Sequence, residues 1–395
     1  MADPWLTIIG LGEDGPAGLS EASRQALAAA EIVIGGPRHL ALARVGEKGR
    51  EWPVPFNIEP VLAEKGRKVV VLASGDPFWH GAGGSLAAHL GPGDWVAYPA
   101  PSTFSLAAAR LGWRIEDTFS FGLHAAPFER LLPVLSRGVR ILCLMRDGQA
   151  VQSLADWLTG RGFGASQMHV LEALGGPSER IRAAPAEGFC LTNIAHPVAV
   201  AIEAAGGLGV SRASGLPDDL FAHDGQITKR PIRALTLSAL APRAGERLWD
   251  IGAGSGSISV EWCLAAPQAC AVAVERRADR AANIRANAAA FGLSRQLSVT
   301  EAAAPGGLAA LPAPDAVFLG GGASGALLDQ LWVSMPAGTR LVANAVTLES
   351  EALFAAWQAD KGGELIRMEM SCATPLGRMR GWDRARPVTQ WSIVR

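Results

Sequence analysis

Three glycines at alternate positions, Gly252, Gly254 and Gly256, sit in the run Trp249-Asp250-Ile251-Gly252-Ala253-Gly254-Ser255-Gly256-Ser257, between an apolar stretch and a helix-periodic segment. A strand-to-helix turn stripped of side chains lets backbone amides lie against a ligand. Spacing selects the ligand. A dinucleotide site is written Gly-x-Gly-x-x-Gly, its third glycine letting the helix pack close to the strand. Here Ser257 occupies that place, and Asp250 opens an Asp-x-Gly-x-Gly-x-Gly pattern. The dinucleotide letters do occur near the N-terminus, in Gly10-Leu11-Gly12-Glu13-Asp14-Gly15, with Glu31 downstream. There Pro16 and Gly18 separate the glycines from a helix that starts near Ser20, and Glu31 opens a strand rather than ending one. A pyrophosphate would meet no helix N-terminus, so NAD is not expected.

Other reactive residues are sparse. His80, His124 and His196 read as packing or capping residues, and no catalytic residue is assigned. Cysteines 143, 190, 263, 270 and 372 are scattered without a Cys-x-x-Cys pair, which predicts reduced thiols in the cytoplasm, no disulfide framework and no metal site. Lysine occurs only at 48, 65, 68, 229 and 361, so 31 of the 36 basic residues are arginines. Planar, permanently charged forks suit a polycarboxylate ligand. Four of them, Arg378, Arg380, Arg384 and Arg386, surround Trp382 ahead of the last strand, either as a solvated loop or as forks around a flat aromatic surface. A net charge of −1 offers no stripe for nucleic acid. No apolar run approaches the roughly 18 residues of a membrane span, and the start Met1-Ala2-Asp3-Pro4 is unlike a signal peptide.

These residues need elements to position them. A chain of 395 residues, 49% hydrophobic, predicts two domains. Glycines, serines and a proline cluster over 203–217, placing the boundary near 210, with domains 1–207 and 212–395. The second half alternates in the α/β manner, with strands expected at 247–251, 270–275, 297–299, 315–319, 340–345, 364–369 and 389–394. Helices are expected at 231–240, 279–291, 324–335 and 348–360, with Asn283 and Asn287 as exposed polar residues on the second of these. The first half mixes helices with strands at 6–9, 31–34, 68–73, 95–98, 140–145 and 167–171. The halves share no internal repeat.

Two resemblances cover most of the chain. Ser74-Gly75-Asp76-Pro77, Pro99-Ala100-Pro101-Ser102-Thr103, Leu142-Cys143-Leu144-Met145, Val170-Leu171-Glu172 and Leu191-Thr192-Asn193-Ile194-Ala195-His196-Pro197 resemble, in this order, the tetrapyrrole methylase family over about residues 5–205. That resemblance implies two α/β subdomains holding S-adenosylmethionine between them, with contacts at Gly75, Asp76, Ser102, Thr103 and Met145. Glu13 stands where the family's opening loop commonly has proline. The glycine run at 252–256, with Pro314-Asp315-Ala316-Val317-Phe318-Leu319-Gly320-Gly321-Gly322, resembles class I Rossmann-like methyltransferases. More closely, residues 216–395 resemble the C15-methylating, decarboxylating domain of corrin biosynthesis. This implies cofactor contacts at Thr228, Gly252, Gly254, Gly256, Glu275 (the ribose carboxylate) and Ala304. Together the halves are similar to a fused family of cobalamin biosynthesis. The implied activity is methylation of a precorrin at C5 by the first domain and at C15 by the second, with loss of the C12 acetate carboxyl. Also implied are one S-adenosylmethionine per domain, substrate contacts from Arg378, Arg380, Trp382 and Arg384, and a homo-oligomer without nucleic-acid or membrane partners.

Overall fold

The computed structural model describes residues 4–395, folded as two compact units. One runs to Phe128 and resumes over Val134–Gly209; the other comprises Glu129–Pro133 and Val210–Arg395.

The first unit holds two five-stranded sheets. Strands β1 (Leu6–Leu11), β2 (Ile32–Gly35), β3 (Gly49–Glu51), β4 (Val69–Ser74) and β5 (Trp95–Tyr98) are all parallel, in the order β3-β2-β4-β1-β5. The largely apolar β1 and β4 fit central strands covered on both faces, and both are buried almost throughout. Ser20 caps the helix Glu21–Ala29, its hydroxyl accepting from the Ser23 amide at 3.1 Å. The second sheet takes β6 (Thr118–Gly122), β7 (Arg140–Met145), β8 (Gln167–Glu172), β9 (Arg180–Pro185) and β10 (Val198–Glu203), in the order β6-β7-β10-β8-β9. Only β6 and β7 run parallel within it. The sequence expectation lacked β3, β6, β9 and β10. Strand β3 is short and β9 is mostly exposed, whereas β10 is buried and apolar but runs into the glycine-rich stretch that marked a linker.

The second unit is a seven-stranded sheet built from β11 (Arg247–Ile251), β12 (Cys270–Glu275), β13 (Leu297–Glu301), β14 (Ala316–Leu319), β15 (Arg340–Ala345), β16 (Glu364–Met368) and β19 (Val388–Val394). The order is β13-β12-β11-β14-β15-β19-β16, parallel except for β19, which is antiparallel to both neighbours. The segment 371–384 is a β-hairpin, β17 (Ser371–Leu376) and β18 (Met379–Arg384), instead of a loop. Its alternation puts Arg380, Trp382 and Arg384 on one face of β18, with Arg378 in the turn. Because β16 runs parallel to β15, the hairpin leaves the sheet at the edge where β15 ends. The stretch Glu129–Pro133 belongs to this unit, and a Cβ on Gly292 would overlap the Glu129 carbonyl oxygen.

Candidate functional site

In the first unit the C-terminal ends of β1, β4 and β5 meet with almost no side-chain atoms between them. The Gly75 amide donates to Leu11 O at 3.1 Å and the Ala100 amide to Gly75 O at 3.1 Å. A Cβ on Gly10 would overlap Gly75 O, and one on Gly75, where φ is +54°, would lie 2.8 Å from Pro101 O. This backbone floor opens onto a cavity of about 580 Å3. Gly75, Ser102, Thr103 and Met145 line it together with Trp79 and Phe104, whose ring centroids lie 5.0 Å apart. Ser102 also caps the helix Thr103–Leu111 by accepting from the Ser105 amide at 3.0 Å. Asp76, grouped with these residues by resemblance, is not among the lining residues. Its Oδ1 instead accepts from the Phe78 amide at 2.8 Å and fixes the turn after β4.

The sequence reading named Glu13, Ser74 and His196 without a site role and passed over Arg38 and His39, yet these five form the polar wall of this cavity. Arg38 is ion-paired with Glu13 and donates to Ser74 Oγ at 3.0 Å. His39 Nε2 lies 2.8 Å from Ser74 Oγ and 3.1 Å from the Arg38 guanidinium. Burial and, secondarily, the Arg38 charge push His39 down to about 4. The same causes, partly opposed by Asp147, lower His196. The Gly10–Gly15 loop serves this wall, since a Cβ on Gly176 would come 2.6 Å from the Glu13 Cβ, so a glycine there lets the loop approach. A sequence signal existed: Arg38-His39 follows Gly35-Gly36-Pro37 at the end of a parallel strand, where ligands of open sheets collect.

The second site lies where β11, β12 and β14 end. A Cβ on Gly252, at φ +69°, would lie 2.9 Å from Gly321 O, so the turns after β11 and β14 pack backbone on backbone. The Glu275 carboxylate is aimed by two amides: Oε2 accepts from Gly254 at 2.9 Å and Oε1 from Arg277 at 3.0 Å. An ionised carboxylate offers about four acceptor positions, so capacity remains for a hydroxyl pair. Asp250 is buried, its Oδ2 accepting from the Ser259 amide at 3.2 Å and Oγ at 2.6 Å. Oδ1 has no partner, and neither does the buried Ser255 Oγ. Burial, with the Glu275 charge adding, pushes Asp250 up to about 6. Orphaned polar atoms beside a side-chain-free turn fit a ligand bearing hydrogen-bonding groups.

The remaining assignments divide. Gln226 O lies 3.7 Å from a Cβ built on Gly254, which brings the segment carrying Thr228 to the glycine turn. The Ala302 amide donates to Glu275 O at 3.2 Å, which places Ala304 at the neighbouring strand end. Gly256 faces the helix Ala278–Ala290, where its Cβ would come 2.7 Å from Ile284, so it is explained by packing. Arg378, Arg380, Trp382 and Arg384 are exposed on the hairpin at the same sheet edge. Asn287 is buried, correcting its expected exposure. It accepts from the Ala222 amide at 2.7 Å and donates to Ala222 O at 2.9 Å and Ser255 O at 2.8 Å. Beneath Thr228, fully buried Arg233 contacts Glu261 at 2.6 Å, Asp218 at 3.0 Å and Thr228 O at 2.5 Å, and also Leu216 O.

Among the described residues no group of histidines, cysteines and carboxylates could hold a metal ion, and no helix is long and apolar enough to cross a membrane. Residues 5–189 match a family described as tetrapyrrole (corrin/porphyrin) methylases, and residues 219–395 one described as a precorrin methyltransferase domain. A Sinorhizobium protein named precorrin-6Y C(5,15)-methyltransferase [decarboxylating] is 47% identical over 99% of this chain and 97% of its own. Two shorter relatives match parts. A Salmonella typhimurium cobalt-precorrin-7 C(5)-methyltransferase is 31% identical over 46% of this chain and 90% of its own. A probable cobalt-precorrin-6B C(15)-methyltransferase (decarboxylating) of Saccharolobus solfataricus is 35% identical over 34% of this chain and 71% of its own.

Proposed function

The chain belongs to the precorrin-6Y C(5,15)-methyltransferase [decarboxylating] family, and on that premise we propose that its two units divide the chemistry between them. It is an S-adenosylmethionine-dependent C-methyltransferase with decarboxylating activity in cobalamin biosynthesis. The first unit, a tetrapyrrole methylase fold, methylates C5. The second, a class I Rossmann-like fold, methylates C15 and releases carbon dioxide from the C12 acetate. Each binds its own S-adenosylmethionine. The observation that carries this division is that each unit has a side-chain-free ligand floor at its own parallel-strand edge.

S-adenosylmethionine, when bound, supplies an electrophilic methyl group on a sulfonium. The residues contribute alignment and exclusion of water more than proton transfer. In the first unit Thr103 and Met145 bound the cofactor's space and Trp79 and Phe104 form an apolar wall. In the second, Glu275 is held by two amides to take ribose hydroxyls, while Asp250 Oδ1 and Ser255 Oγ offer polar partners. Arg380 and Arg384, flanking Trp382, present forks and a flat ring to a planar polycarboxylate. Decarboxylation needs an electron sink, which the conjugated macrocycle provides without a lysine. The family premise also supports a homo-oligomer in the cytoplasm.

The test counts methyl additions and carbon dioxide loss by product mass in the full chain. Thr103→Trp, filling the first cavity, should leave one methyl addition and the decarboxylation. Glu275→Ala should leave only C5 methylation. Retention of both methylations by Thr103→Trp would refute a catalytic first unit.

A further inference from the structure

We propose that Arg38 is a carboxylate-binding residue of the first cavity, receiving an acetate or propionate arm of the tetrapyrrole, with Glu13 as its resident counter-ion. This rests on the reading that the cavity is the C5-methylating site.

Position comes first. Arg38 and Glu13 both line the cavity, and their side chains remain 31% and 17% exposed, so the pair is reachable although largely withdrawn from water. A guanidinium there interacts with an anion more strongly than in bulk solvent. Orientation comes second. One terminal nitrogen donates to Ser74 Oγ at 3.0 Å and lies 3.1 Å from His39 Nε2. Arginine only donates, so the histidine nitrogen facing it is the bare acceptor and the ring is neutral. Burial and Arg38 hold His39 near pKa 4 and lower His196 as well, so neither imidazole is the positive charge beside Arg38 near neutral pH. The other arginine on the wall, Arg146, is the more exposed of the two at 65% and is paired with Asp147 at 2.8 Å. Arg38 is therefore the desolvated fork, locked in direction by Ser74 and His39.

Glu13 is brought to the cavity by the Gly10–Gly15 loop, and Gly176 leaves room for it beside Arg38. A carboxylate in that place keeps a buried guanidinium from standing unpaired. It must also weaken the grip on an incoming carboxylate by like-charge repulsion. The two residues therefore have opposite effects on substrate binding, which a simple structural ion pair would not.

The full chain is assayed with S-adenosylmethionine and precorrin substrate, following C5 and C15 methylation separately by mass and NMR. Arg38→Gln is expected to raise KM for C5 methylation about 10- to 100-fold, the range for a hydrogen bond to a charged group. C15 methylation and S-adenosylhomocysteine affinity should stay unchanged. Arg38→Lys should fall between, and Glu13→Gln should lower KM. An unchanged KM in Arg38→Gln overturns the proposal, as does a parallel rise in KM with lost thermal stability in both Arg38→Gln and Glu13→Gln. Weakened S-adenosylhomocysteine binding without a KM effect overturns it too, by assigning Arg38 to the cofactor's own carboxylate. Thr103→Trp separates the levels. If it abolishes C5 methylation while Arg38→Gln does nothing, only the carboxylate assignment fails. If it leaves C5 methylation intact, the underlying reading fails with it.

Discussion

Replacing Arg233 with leucine tests what holds the approach to the second site. The guanidinium is fully buried and Glu261 nearly so, and the pair does more than neutralise itself. Glu261 also accepts from the amides of Gly215 at 2.6 Å and Leu216 at 2.8 Å. Arg233 binds Asp218, Leu216 O and Thr228 O and lies 4.8 Å over the Phe221 ring. Segment 215–228 is thus pinned to the helices Arg230–Leu240 and Ser257–Ala265. Leucine would leave Glu261 charged and buried with only its two amides, and removing one partner of such a pair costs about 3–5 kcal/mol. For a unit of this size each kcal/mol moves Tm by about 2–4 °C, so the second unit's transition should fall by about 6–20 °C. Calorimetry of the full chain resolves that transition, and hydrogen exchange should show early deprotection over 215–228. The double replacement Arg233→Leu with Glu261→Leu should recover part of the loss, because two apolar side chains leave no unpaired charge. A fall below about 2 °C, or a double variant worse than the single, would refute a pinning role for the ion pair.

Two further outcomes follow from the same unit. Asp250 has its carboxyl raised to about 6 in the folded chain, above an unfolded value near 4. Its stabilising contribution is fully present below pH 4 and is lost as pH rises through 6, up to about 3 kcal/mol. Asp250→Asn should therefore gain stability over wild type between pH 4 and 7 in thermal melts at stepped pH, and a parallel offset across that range would rule out the ionisation argument. Gly292→Ala forces a Cβ into the Glu129 carbonyl at φ +72° and should cost about 1–3 kcal/mol, read as a lower midpoint for the second unit's transition. No change there would mean that Glu129–Pro133 yields easily.

What the sequence revealed, it revealed through backbone demands. Glycines 252 and 254 announce a turn free of side chains because a side chain at Gly252 collides with the neighbouring turn and both positions have positive φ. Apolar runs such as Val69-Val70-Val71-Leu72 announce central parallel strands because only burial on both faces tolerates them. Polar residues working across distant segments gave no such sign. Asn287 shares its helix face with the buried Ile284 and Phe291, but nothing local shows that Ala222 and Ser255 will bring a backbone amide and carbonyls to its amide group. Arg233 looks like any helix arginine until Glu261, 28 positions on, arrives beside it. The arginines around Trp382 were visible as a cluster, but only strand pairing puts two of them on the indole's own face.

The same contrast separates what each site residue contributes. Where strand ends converge, the chain removes side chains altogether, as at Gly10, Gly75 and Gly252, so a ligand bound there would meet amides whose direction the sheet has already fixed. Around these floors it places carboxylates that are already occupied: Glu275 by two amides, Glu13 by Arg38, Asp250 by Ser259. An acid held this way cannot swing towards the transferring methyl group, and methyl transfer from a sulfonium asks for no acid there. Discrimination must then come from what remains free on each acid and on its partner: an unfilled oxygen on Asp250, acceptor capacity on Glu275, and the guanidinium beside Glu13. Substitutions that keep the fold but change those residual groups should shift ligand selection before they shift the rate of methyl transfer.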